Sequence, residues 1–181
     1  LPPRVAYAPI DLTAVVDRGL RDETSGDGVG WVDWGPGQDL SDFPTGEVVF
    51  DGIPFQVPSG DQNAVVLRTS PDFVKSLAGY PDRVTIPVNR SNVAGLYFLH
   101  TGGWTGGRSV YGWREIRYAD GTQEVLPLNE TSCADWNYGH DDFPDEEGTA
   151  TTVAWKGACK QYPVTRVYKT LWVNPHPEKK I

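Results

Sequence analysis

The sequence predicts an all-β fold, a sandwich or barrel of short antiparallel strands. Apolar and polar residues alternate with a period of two over segment after segment. Turn formers interrupt the chain at close intervals, with 20 Gly and 15 Pro in 181 residues. Only one short segment carries helix signals. Many short strands with turns between them and almost no helix define the sandwich and barrel classes.

The elements follow in order. Val5 to Ile10 reads as the first strand. Asp22 to Ser41 holds Gly26, Gly28, Gly30, Gly35 and Gly37 and reads as loop around one short strand, Val29 to Trp34. Gly46 to Asp51, Ile53 to Val57 and Asn63 to Leu67 are the next strands. Ser70 as N-cap with Pro71 at the first helical position predicts a short helix from Ser70 to Leu77. Arg83 to Val88 is another strand. Val93 to His100 follows, and its apolar centre Leu96-Tyr97-Phe98-Leu99 predicts a central strand. Arg114 to Ala119 and Thr122 to Leu128 flank Asp120-Gly121, a strong hairpin signal. Thr149 to Trp155 and Val164 to Val173 complete the set. Neither parity of the last strand is purely polar, so it reads as buried on one side and partly covered on the other. There is no internal repeat, and the reading is one domain over residues 1–181.

Composition narrows the partners. Net charge is −8, and the only basic pair is Lys179-Lys180, which speaks against nucleic acid and anionic membranes. No apolar run approaches the ~18 residues of a membrane span. A neutral ligand or a divalent cation suits this charge better. The lack of methionine and the tail Asn174 to Ile181, which reads as a linker, suggest one module of a larger protein. Asn89-Arg90-Ser91 and Asn129-Glu130-Thr131 are glycosylation triplets of little specificity. Cys133 and Cys159 allow one pair, so a disulfide and an extracytoplasmic location are expected, with two buried thiols as the competing reading. If formed, the bridge would contribute roughly 3 kcal/mol.

The segment between those cysteines is the strongest candidate site. Asp135, Trp136, Asn137, Tyr138, His140 and Asp142 combine aromatic rings with carboxylates, an amide and an imidazole in a polar loop. Sugars match that mixture, since their C–H faces stack on rings and their hydroxyls need polar partners. Trp104, set in Thr101-Gly102-Gly103-Trp104-Thr105-Gly106-Gly107, lacks apolar neighbours and joins the set. Tyr111 and Trp113 are further ring candidates. A buried plug is the competing reading for Trp104 and Trp136, whereas core is the leading reading for Trp113 and ring platform the competing one. Trp155 and Trp172, mid-strand, read as core. Trp31 and Trp34 differ in parity, so one should face in and the other out.

Catalysis has little to build on. Asp141, Asp142, Asp145, Glu146 and Glu147 form an acidic run without calcium-loop spacing, and it reads as a solvated loop. Asp39 with Asp42, or Asp11 with Asp17, are no more specific. Acid pairs for glycoside hydrolysis abound, but no motif singles one out. His100, His140 and His176 sit in no catalytic motif. His100 closes an apolar strand and reads as structural, and His176 as exposed. Neither cysteine has a C-x-x-C partner for zinc.

Gly46 to Phe55, Leu96 to Thr101, Tyr118 to Thr122, Val153-Ala154-Trp155 and Trp172 to Pro175 together resemble non-catalytic β-sandwich domains appended to bacterial polysaccharide-degrading enzymes. These are jelly-roll carbohydrate-binding modules of the galactose-binding-like type. The resemblance spans about Val5 to Pro177, and its motifs are fold-forming. It implies a single jelly-roll sandwich of two antiparallel sheets. It also implies a secreted, monomeric, non-catalytic module that binds a polysaccharide or oligosaccharide beside a catalytic domain of the same polypeptide. A structural calcium fits such a fold, with no position indicated. A purely structural accessory domain is the first rival, and a small β-sandwich hydrolase or lyase the second.

Overall fold

A computed structural model describes residues 6–68, 79–106, 110–144 and 146–181. All its regular elements are β-strands: β1 (Gly46–Phe50), β2 (Ile53–Val57), β3 (Gly95–His100), β4 (Gly112–Arg117), β5 (Gln123–Leu128), β6 (Thr149–Gly157) and β7 (Thr165–Val173). Among the described residues there is no helix; the helix expected at 70–77 lies outside them. Among the described residues no helix is long and apolar enough to cross a membrane. Every strand pair is antiparallel, in sheets ordered β1-β2, β3-β7-β6 and β4-β5. The chain divides into two compact units, one of residues 1–86 with 159–161, the other of 87–158 with 162–181.

In the first unit the β1–β2 hairpin turns on Asp51-Gly52. Both residues have positive φ (49° and 77°), the backbone that a two-residue hairpin with native twist requires. Phe50 stacks against Phe43 at 5.9 Å and packs against Phe55 at 6.1 Å. Trp31, Val32, Leu40, Phe43, Ile53, Val57 and Tyr80 are buried. Much of the rest is irregular chain, tied by backbone bonds such as Trp31 N to Gly19 O (2.9 Å) and Leu40 N to Leu20 O (2.9 Å). The strands expected at Asn63–Leu67 and Val29–Trp34 reduce to isolated bridges at Ala64 and Gly30. Residues 6–10 of the expected first strand, and the expected strand at 83–88, belong to no strand or bridge. Of the two loop tryptophans, Trp31 is buried and Trp34 half-buried.

In the second unit β7 is the central strand, and the expectation of a central β3 is overturned. Hydrophobicity alone misled here. β7 is bounded on both edges by β3 and β6, and Thr165, Val167, Tyr168, Lys169, Thr170 and Trp172 are all buried. β3 is an edge strand, half-buried throughout. A bulge between Val153 and Trp155 breaks the β6–β7 register, of the kind that bends a strand locally. The β4–β5 hairpin closes through Asp120-Gly121 as expected. Asp120 Oδ1 accepts from Thr122 N (2.9 Å), and Gly121 has φ 87°.

Ile116, Tyr118 and Trp172 form a core with Leu96, Phe98, Leu126 and Ile181 around them. The tail that reads as a linker is built into this unit. Ile181 and Arg90 exchange two backbone bonds of 3.0 Å, and Ala119 N donates to Lys180 O. Asn174 is buried; it accepts from Tyr118 OH (2.6 Å) and donates to Val93 O (2.8 Å). His176, expected to be exposed, is half-buried with its ring edge-on to Tyr118.

The expected Cys133–Cys159 disulfide is corrected: both are free thiols. Cys133 is buried in the second unit, and the half-buried Cys159 belongs to the short segment of the first. Burial pushes the Cys133 thiol up to about 11, despite the hydrogen bond to Tyr111 and the charge of Arg114.

Candidate functional site

The loop from Asn129 to Phe143 is held from below by β7 and by the chain after β3. Asn129 Oδ1 accepts from Thr131 N (3.1 Å) and Ser132 N (3.1 Å), an Asx arrangement that a short amide side chain favours. Gly102 and Asp135 form a parallel bridge, with Trp136 N donating to Gly102 O at 2.8 Å. Arg166 N donates to Trp136 O at 2.7 Å. Tyr168 OH donates to Asp135 O at 2.9 Å. Asp135 in turn accepts on Oδ1 from Asn137 N (3.1 Å) and Tyr138 N (3.2 Å), fixing the tight turn that follows it. Gly139 is needed there, because a Cβ would collide with Asp135 O and Tyr168 Oη.

That scaffold turns one large ring outward. Tyr138 is 82% exposed. Its ring sits edge-on to Tyr162 (6.0 Å), which sits edge-on to Trp136 (5.3 Å). Trp136 itself is only 2% exposed, so its role as a stacking platform is corrected to that of a plug beneath the loop. Apolar neighbours were invisible in its local sequence because Tyr162 arrives from 26 residues further along. Asp135 is likewise buried and is engaged by backbone amides, which removes it as a hydroxyl partner. Asn137 is half-buried, and His140 and Asp142 are exposed beside Tyr138 in the chain. Phe143 anchors the far end, 4.7 Å from the His140 ring and 5.3 Å from Tyr168.

Asp141 was read as part of a solvated acidic run. It bridges two cations instead, Lys156 Nζ at 2.6 Å and Arg166 Nε at 2.7 Å. Hydrogen bonds to Lys156 and then Arg166 hold its carboxyl below the usual range. The loop is thus fastened to β6 and β7 by charge as well as by backbone.

The other ring candidates separate. Tyr111 is half-buried and donates to Cys133 O, below the loop; burial first, then the Cys133 environment, raises its phenol far above the usual value. Trp104 is half-buried with φ 57°, a left-handed backbone uncommon for a bulky residue. The leading reading of Trp113 as core is corrected: it stands 58% exposed on β4 opposite Pro127.

Under the loop lies a partly buried polar chain that leaves little freedom of protonation. Arg114 Nη2 lies 2.6 Å from His100 Nδ1, and an arginine can only donate, so Nδ1 accepts. His100 Nε2–H then donates to Thr170 Oγ1 (2.8 Å), and Thr170 donates to Ser132 O (2.9 Å). Thr151 Oγ1 completes the set at 2.9 Å from Thr170. Burial and then the Arg114 charge hold His100 well below its usual pKa, so it is a neutral structural group. The Arg114 guanidinium also lies 4.3 Å over the Phe98 ring.

In the first unit, Asp22, Asp27 and Asp33 are the three acids among the described residues whose oxygens could converge on one metal ion. They lie in the Gly-rich loop, and no familiar spacing marked them in the sequence. Asp22 also lines a polar depression with Arg21, Glu23, Asp39 and Asp42. No protein-family model, curated protein or solved structure matches this chain.

Proposed function

We propose that this chain is a non-catalytic carbohydrate-binding module, a β-sandwich of jelly-roll type that holds a secreted bacterial polysaccharide-degrading enzyme on its glycan. The observation that carries the reading is Tyr138, 82% exposed on a loop whose every neighbouring turn is fastened. A ring held in place before binding loses little freedom when a sugar stacks on it. His140, Asp142 and Asn137 supply hydroxyl partners around that ring. Trp113 offers a second exposed face on the β4–β5 ribbon, with the Glu115–Arg117 ion pair (2.7 Å) on the same side. The site is shallow, so affinity is modest. The partners are a neutral polysaccharide or oligosaccharide and a catalytic domain of the same polypeptide, with no nucleic acid or membrane and a monomeric state.

A structural accessory role without a ligand is favoured by one observation: Trp113, Val125 and Pro127 are exposed together on that ribbon. An apolar face of this kind suits a neighbouring domain.

Calorimetric titration against soluble plant, algal and fungal polysaccharides, with and without calcium, decides between the two. Saturable heat with one polymer class, lost in Tyr138→Ala with folding retained, supports the module and its site. Binding that survives Tyr138→Ala but not Trp113→Ala moves the site to the ribbon. No heat with any polymer supports the accessory role.

A further inference from the structure

The loop from Asp22 to Gly35 gathers negative charge that the protein leaves incompletely compensated. Asp22, Asp27 and Asp33 each bring a carboxylate oxygen within 4.8 Å of the others. Asp22 and Asp33 are each only 2% exposed. Backbone amides take part of the load. Asp22 accepts from Thr24 N (3.1 Å) and Gly35 N (2.8 Å), Asp33 Oδ1 from Gly28 N (2.9 Å), and Asp27 Oδ1 from Val29 N (2.9 Å). Among the described residues no lysine or arginine pairs with any of the three.

Asp33 Oδ2 is a separate matter. It is buried and has no hydrogen-bond donor at all. A buried carboxylate oxygen without a donor or a cation is costly, and the repulsion of two further carboxylates adds to that cost. Gly30 packs directly on the Asp22 side chain, where a Cβ would collide with the carboxylate.

We propose that Asp22, Asp27 and Asp33 bind a single calcium ion. The donors are all oxygen, which selects a hard cation over zinc or copper. Calcium bonds oxygens at ~2.3–2.6 Å, so ligands around one ion lie up to about 5 Å apart, wide enough for this cluster. Magnesium, at ~2.0–2.1 Å with strict octahedral geometry, is the poorer fit. Asp27, exposed at the rim, gives a hydrated ion its approach, and water fills the coordination positions the carboxylates leave. The ion would tie together an irregular stretch of the first unit, a stabilising role independent of the glycan loop.

The test uses the full chain after chelator treatment, titrated with CaCl2 and separately with MgCl2 in a calorimeter, with thermal unfolding in parallel. Calcium should bind at one site, at least about tenfold tighter than magnesium, and raise Tm by about 5 °C or more when saturating. Asp27→Asn and Asp33→Asn keep an oxygen for Val29 N and Gly28 N while removing charge. Asn also tolerates the φ of 57° at position 33. Each variant should weaken calcium at least about tenfold. Asp27 is exposed, so its variant stays folded even if Asp33→Asn does not. No calcium heat and no Tm change would overturn the proposal, as would unaltered calcium binding in Asp27→Asn.

Discussion

Thr170→Val isolates the polar chain beneath the loop. The side chains are nearly equal in volume, so no cavity opens, and position 170 on β7 is only 2% exposed. What disappears is a hydroxyl that accepts from His100 and Thr151 and donates to Ser132 O. Thr151 is half-buried and can turn to water. His100 Nε2–H and Ser132 O point at the buried Thr170 side chain and lose their partner there, and each buried group left unpaired costs ~1–3 kcal/mol. The added methyl returns ~0.8 kcal/mol at most. The net loss is therefore about 1–5 kcal/mol, a large share of the ~5–15 kcal/mol of an ordinary domain. Urea unfolding followed by fluorescence and near-UV circular dichroism measures it. Thr170→Ser is the discriminating companion, since it keeps the hydroxyl and loses the methyl. The network predicts that Ser is tolerated better than Val, and simple apolar burial predicts the reverse. A Val variant within about 1 kcal/mol of the parent, or more stable than the Ser variant, would refute the reasoning.

The remaining predictions concern pH, the thiols and the loop. His100 has a depressed folded pKa, so the unfolded chain binds the extra proton first as pH falls. Its contribution is full above an unfolded value of 6.5 and declines below it; His100→Gln, which cannot titrate, should flatten the loss of stability between about pH 7 and pH 5. Cys159 should react with a thiol reagent in the native protein and Cys133 only after unfolding, because burial keeps the latter protonated. Mass spectrometry that found a bridge linking the two would contradict the free thiols. Gly139→Ala should push Asp135 away from Tyr168, destabilise by about 1–3 kcal/mol and weaken glycan binding with Tyr138 unchanged. Parental affinity in that variant would show that the turn does not position the ring.

Period-two alternation placed β1, β2, β4, β5, β6 and β7 within a few residues, because a sheet with one buried face writes its register into the chain. Asp120-Gly121 did the same for its turn, where Gly121 supplies the positive φ and Asp120 accepts from Thr122 N. The polar loop of the sequence does leave Tyr138, His140 and Asp142 exposed, but Trp104 and Trp136, singled out for their polar neighbours, are half-buried and buried.

Composition could not say which strand is central. β3 is the more apolar run, yet β7 holds the middle, since position in a sheet is decided by which edges are paired. Nor could it place Trp136 inside and Trp113 outside. Burial depends on partners distant in the chain, Tyr162 for the first and the open face of the β4–β5 ribbon for the second. Two cysteines in sequence imply a bridge, but the structure has both as free thiols. Asp22, Asp27 and Asp33 lie five and six residues apart, a spacing without meaning until the glycine-rich backbone folds their oxygens together. By itself the sequence determined the paired strands and their turns, where each residue answers to its immediate neighbours, but not which of its other short apolar segments would find a strand partner. Only the tertiary structure decided which side chains meet, because those contacts join residues that the chain keeps far apart.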